Sequence, residues 1–161
     1  VNVANYADYK TRIVVYRPIL ATKCNGTVVV EWLNVSGGLD SAPDWINAHN
    51  ELIRQGYAWV GVSAQAAGVE GGGSFGVVSL PLKKFDPTRY RSLSHPGDAY
   101  SYDMFTQAAQ AVRHPKGIDP LDGLNVKKMI AAGESQSAYY MATYVNAIAP
   151  SRAICPLLDT V

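Results

Sequence analysis

The chain has 161 residues, 48% of them apolar and 17% charged, with 14 basic and 13 acidic side chains. That length suffices for one hydrophobic core, and so much apolar content with so little charge excludes a disordered chain. A net charge of +1 gives nothing to steer the protein toward nucleic acid or anionic lipid, and no run approaches the ~18 apolar residues of a membrane span.

The first residues, Val1 to Asn5, have neither the charged start nor the apolar centre of a signal peptide. Without an initiating Met they leave room for an upstream segment. Cys24 and Cys155 decide neither a disulfide nor a compartment. Residues 1–8 read as a lead-in. Residues 11–17 are β-branched and aromatic and are closed by Pro18, which predicts a strand near a sheet edge. Asn25-Gly26 is a turn signal. Residues 27–33 then run continuously apolar but for Thr27 and Glu31, the pattern of a strand covered on both faces.

Asn34-Val35-Ser36-Gly37-Gly38 follows, and its residues leave two readings open. It is either a glycine-bearing loop that turns backbone N–H groups toward a ligand or an ordinary loop into a helix. Ser41-Ala42-Pro43-Asp44 has the pattern of a capping box with proline in the first turn. Trp45, Ile46, His49, Leu52 and Ile53 then share one helical face, and Gly56 stops the helix. On that apolar face His49 reads as a packed core histidine rather than a catalytic one.

Residues 57–63 form a third strand. Gly72-Gly73-Ser74-Phe75-Gly76 spells the G-x-S-x-G string, and Gly71, Gly73 and Gly76 spell a dinucleotide fingerprint. Neither has the strand entering and the helix leaving that give such strings their mechanical meaning. Ser63 ends a strand, but the residues after it are too few before the glycines for a helix. This stretch is predicted to be a flexible loop long enough to shape a pocket. Residues 83–97 read as irregular. Arg89 and Arg91 either grip a substrate carboxylate or are solvated, and His95 reads as a satisfied loop histidine. Residues 98–113 form a helix with Tyr102, Phe105, Ala108, Ala109 and Val112 on one face, and 114–125 is a turn-rich connector.

Residues 126–132 form a fourth strand of apolar character, closed by Gly133. From Gln136 to Ile148 apolar or aromatic residues recur at helical spacing until Ala149-Pro150 ends the pattern. Between strand and helix stands Ser135, with Gly133 two residues before and Ser137 two after. Small neighbours at those positions let strand and helix approach closely, while the serine is forced into a strained conformation with its hydroxyl projecting from the sheet edge. The competing reading is a helix N-cap serine. Residues 153–158 look like the start of a fifth strand.

Alternation of strands and helices predicts an α/β layer structure, a mostly parallel central sheet with helices on both faces, as a single unit over 1–161. Loops 34–38, 64–98 and 133–137 then gather at the carboxyl ends of the strands, where ligands bind. No cluster of His, Cys and Asp has metal-ligand spacing.

These residues resemble the N-terminal part of an α/β-hydrolase. The likeness covers residues 9–150 and rests on the glycine loop 34–38, on 85–90 and 93–103, and on Gly133-Glu134-Ser135-Gln136-Ser137-Ala138. It implies a partial α/β-hydrolase fold lacking its C-terminal strands. It implies Ser135 as the nucleophile of a serine esterase acting without a cofactor on a small ester or acyl substrate. It also implies an oxyanion hole made by the backbone N–H of Gln136 and one from the 35–37 stretch, at Val35 or Ser36. Ser137 departs from the family's usual second glycine.

The family order is nucleophile, acid, then histidine. His49, His95 and His114 all precede Ser135, and Asp159 is a poor acid placed on a strand barely begun. The acid and base are therefore expected beyond Val161, and this chain by itself is expected to be weakly active or inactive. The rival readings are a non-catalytic binding module of the same fold and a nucleotide-binding domain using the glycine loop.

Overall fold

The computed structural model describes residues 5–72 and 79–151. Strands β1 (Ile13–Tyr16), β2 (Thr27–Trp32), β3 (Ala58–Val62) and β4 (Lys128–Ala132) form one sheet in the order β1-β3-β2-β4. β2 runs parallel to both neighbours, with Val28 opposite Ala58 on one side and Met129 on the other. The edge strand β1 is antiparallel, Ile13 facing Val62. All four lie within the runs that the sequence marks as strands.

The helices are α1 (Pro43–Arg54), the single turns α2 (Ala66–Val69), α3 (Leu82–Phe85) and α4 (Pro87–Tyr90), then α5 (Ser101–Arg113) and α6 (Gln136–Thr143). They cover both faces of the sheet. Val28, Val30 and Trp32 of β2 and Ala58, Val60 and Val62 of β3 join Phe105, Ala109 and Val112 of α5 in one buried cluster. Tyr144 closes it, and Trp32 stacks on Tyr140 with ring centres 5.0 Å apart. Burying each such side chain contributes roughly 1.5–3 kcal/mol, so this layer is the main core. On the other face Trp59 meets Trp45 of α1 at 5.0 Å, and Tyr16 lies flat on Trp45 at 4.5 Å. Gly61 makes room there, since a Cβ on it would stand 2.4 Å from the Trp59 indole.

Several expectations are corrected. The capping box at 41–44 does not form. Ala42 is the N-cap and gives no side-chain bond, while Ser41 Oγ donates to Asn34 O at 3.0 Å. The helix is capped from the sheet instead: Glu31, fully buried, accepts from the N–H groups of Asp44 (3.0 Å) and Trp45 (2.9 Å). A carboxylate satisfies two orphan amides and the positive end of the helix at once, which the Ser41 hydroxyl cannot match. The expected apolar face of α1 is only partly covered, with Ile46 and Ile53 each 63% exposed.

Residues 82–90 are not irregular but fold into two helical turns, the second capped by Asp86 through Arg89 N–H at 3.0 Å. A turn of helix also forms at 66–69, its first amide held by Asp98 at 2.7 Å. The last helix passes Pro150. It widens into a π turn (Tyr144–Ile148) and continues to Ser151, because a turn with i→i+5 bonds shifts the ladder and tolerates a residue without N–H. The expected strand at 153–158, with Cys155 and Asp159, lies outside the described residues, as do Gly73, Ser74 and Gly76 of the two literal glycine motifs.

Candidate active site

Because β2, β3 and β4 are parallel, their carboxyl ends open on one edge, and the chain leaves them at Asn34, Ser63 and Gly133. At the third of these, β4 turns into α6 within three residues. Ser135 adopts φ 56°, ψ −119° and is exposed. A positive φ on a residue with a Cβ costs on the order of 1–3 kcal/mol and persists only where its surroundings over-determine it.

Here they do. Ser137, fully buried, donates its hydroxyl to Glu134 O at 2.8 Å and accepts from Glu134 N–H at 3.0 Å. Ser137 N–H and Asn34 Nδ2 add bonds to the same carbonyl at 3.2 and 2.9 Å. Gly133 permits the close approach, since a Cβ there would meet Ser137 O at 3.0 Å. Ser135 makes no side-chain cap to α6, so the N-cap reading is not what the residue does.

A cleft of about 450 Å³ lies beside this turn, lined by Val35, Ser36, Gln65, Asp98, Gln136 and Tyr140 together with small residues of 66–72. The structure thus brings Val35 and Ser36 to the same cleft as Gln136, the residue after Ser135. Their amides differ. Ser36 N–H donates to Asn34 Oδ1 at 2.9 Å and is committed within its own loop, whereas the N–H groups of Val35 and Gln136 bond no described residue. Of the two amides expected in the 34–38 loop, Val35 is the one without a described acceptor.

The cleft floor is polar. Gln65, 3% exposed, accepts from Trp32 Nε1 and from Gln136 Nε2, both at 3.1 Å, and Gln136 Oε1 is buried with no described partner. The Tyr140 hydroxyl has its pKa raised by burial and by the charge of Asp98.

The histidines lie elsewhere. His95 is 9% exposed, its Nε2 facing Ala64 O at 3.0 Å and its Nδ1 accepting from Gly97 N–H at 3.1 Å. Both ring nitrogens are used by backbone, as expected for a satisfied loop histidine. His49 turns Nδ1 to carbonyls of its own helix, at 3.0 Å to Ile46 O and 3.1 Å to Trp45 O, and packs against Trp45. His114 is exposed at the end of α5. Ser135 Oγ bonds no described residue. Arg89 and Arg91 are exposed and do not line the cleft.

Ser63 is buried and donates to Asp40, which also pairs with Arg12 at 3.0 Å. That hydroxyl is structural. Among the described residues no group of three or more His, Cys, Asp or Glu could hold a metal ion, and no helix is long and apolar enough to cross a membrane.

Sequence reasoning missed Asn34 and Gln65. For Asn34 a signal existed: an Asn opening a glycine loop can accept from the amide two residues on, and it does so to Ser36. Gln65 gave none, since its partners Trp32 and Gln136 are remote in sequence.

A mostly parallel sheet between helices, with loops converging beyond its carboxyl edge on a serine-bearing strand-to-helix turn, defines an α/β protein. A model of the alpha/beta hydrolase domain family matches residues 1–160, and the chain belongs to that family. Comparisons with curated proteins and with solved structures return no match.

Proposed function

We propose that this chain carries the nucleophile and the oxyanion donors of a serine hydrolase acting on small carboxylic esters or similar acyl compounds. The observation that supports this most is the backbone of Ser135: exposed, at φ 56° on a strand-to-helix turn, and followed by an amide with no described acceptor. Strain of that kind is retained where a side chain must be presented.

In the proposed reaction Ser135 Oγ bonds the substrate carbonyl carbon as its proton passes to a general base. The carbonyl π pair moves onto oxygen, where the N–H groups of Gln136 and Val35 receive the charge. Each such donor is worth roughly 3 kcal/mol in the transition state. Collapse expels the alkoxide, which takes a proton, and water then releases the acid from the acyl-serine. The acid and base are proposed to come from outside residues 1–161, so this stretch alone turns over esters feebly. Loss of the base in such a triad costs on the order of a millionfold.

A non-catalytic binding module is the second reading, favoured by the backbone bonds that occupy the rings of His49 and His95, by the absence of any histidine from the cleft lining and by the lack of any partner for Ser135 Oγ among the described residues. A fluorophosphonate probe applied to the full-length protein, with its proposed acid and base present, separates the two. Labelling that maps to the peptide containing Ser135 and vanishes in Ser135→Ala supports the hydrolase; an unlabelled protein supports the binding module.

A further inference from the structure

We infer that Asn34 is a positioning residue that sets the 34–38 loop against the turn carrying Ser135; the inference rests on the serine-hydrolase reading above. Asn34 is 4% exposed and every polar group it has is used. Its backbone closes the loop, Asn34 N–H donating to Ser41 O at 2.8 Å and Asn34 O accepting from Ser41 N–H at 2.9 Å. Its side-chain carbonyl accepts from Ser36 N–H at 2.9 Å and Ser36 Oγ at 2.6 Å, folding the loop onto itself. Its side-chain amide then reaches Glu134 O at 2.9 Å, a residue 100 positions away in sequence.

The geometry explains why the residue is asparagine. One planar group supplies an acceptor to the loop and a donor to the turn, two needs that ionised aspartate, which only accepts, and serine, too short to span both partners, do not meet together. Val35 follows the clasp directly and Gln136 lies two residues beyond the carbonyl it holds. Both residues line the cleft, and neither amide has a described acceptor. Their separation is governed on one side by the pairing of Glu31 with Ala132 in the sheet and on the other by the Asn34–Glu134 bond. Opening the clasp leaves both strands in place while freeing one amide from the other, and oxyanion donors act only when held at the position where charge develops.

The test follows phosphonylation of Ser135 by a fluorophosphonate in the full-length protein, which carries the proposed acid and base, resolving the maximal rate from the apparent affinity, in the wild type, Asn34→Asp and Asn34→Ser. Asn34→Asp keeps the acceptor for Ser36 and loses the donor toward Glu134. Asn34→Ser is uncharged, can still close the local turn, and is too short for Glu134, which provides a second route if the first variant folds poorly. The maximal rate is expected to fall tenfold or more in both, on the order of a misplaced oxyanion donor, with affinity changed by less than about twofold.

In Asn34→Asp alone, the deficit relative to wild type should shrink as pH falls through the carboxyl range, since the protonated side chain regains a donor. A loss of packing would show no such recovery. Equal maximal rates in wild type and both variants, with Ser135 labelled, overturn the role of Asn34 alone. A deficit that is the same at every pH in both variants also overturns it. A wild-type protein that is not labelled at Ser135 overturns the underlying reading, and this inference with it.

Discussion

Ser137 and Glu134 hold each other through two hydrogen bonds, hydroxyl to carbonyl at 2.8 Å and amide to hydroxyl at 3.0 Å, across the turn where Ser135 stands. A fully buried hydroxyl that satisfies both groups of one residue cannot be deleted cheaply. Ser137→Ala should cost about 1–3 kcal/mol, the penalty of leaving the Glu134 amide without its acceptor, while the Glu134 carbonyl keeps Ser137 N–H and Asn34 Nδ2. Gly133→Ala should cost a similar ~1–3 kcal/mol, because the backbone carbonyl that its Cβ would meet at 3.0 Å belongs to that same Ser137. Urea melts of the two variants check both values, and a neutral Gly133→Ala would show that the turn has slack.

Ser135→Gly should stabilise the fold while abolishing any reaction of the site. Glycine adopts φ 56° without the penalty a Cβ incurs, so a gain of about 1 kcal/mol is expected. A serine acting as helix cap would give the opposite sign, a loss of a few tenths of a kcal/mol. The sign of the change in melting temperature decides between these.

Glu31 gives the protein a pH dependence. Burial outweighs the hydrogen bonds from Trp59, Asp44 and Trp45 and raises its pKa from 4.5 to about 6. A carboxyl with a raised folded-state pKa contributes stability that is fully present below 4.5 and is lost as pH rises to about 6, some 2 kcal/mol in all. The difference in unfolding free energy between wild type and Glu31→Gln should therefore fall by about 1.5 kcal/mol between pH 4.5 and 6.5 and level off above that. A difference that does not change with pH would contradict the assignment.

Much of the sheet and the turn at Ser135 were legible because their signals are local. Residues 27–33 and 57–63 are apolar runs of strand length, and strand, Gly133, Ser135, Ser137 and helix lie within a dozen residues of each other. What the sequence concealed is tertiary. The cap of α1 comes from Glu31, 13 and 14 residues before the amides it holds, so the nearby capping-box spelling misled. Asn34 finds Glu134 only because β2 and β4 pair in the sheet. Helix α6 seemed to end at Pro150 because proline forbids an ordinary turn, and a π turn before it changes the requirement.

The Arg12–Asp40 pair should be costly to break. Their side chains are 19% and 3% exposed, and Asp40 has its pKa raised by burial even though Ser63 and Arg12 pull it down. Arg12→Ala leaves that carboxylate with Ser63 alone and should cost about 3–5 kcal/mol at neutral pH. Without Arg12 the folded-state pKa rises further, so the penalty should shrink as pH falls below 7 and the carboxylate takes up a proton. Denaturant titrations across the acid range check this, and a penalty independent of pH would contradict it.

The most direct test of the account is a crystal structure of the full-length protein after reaction with a fluorophosphonate. The prediction is a phosphorus–oxygen bond at Ser135, with that residue still at positive φ and the phosphoryl oxygen within hydrogen-bond reach of the N–H groups of Gln136 and Val35. An adduct on another residue, or a phosphoryl oxygen turned away from both amides, would contradict it.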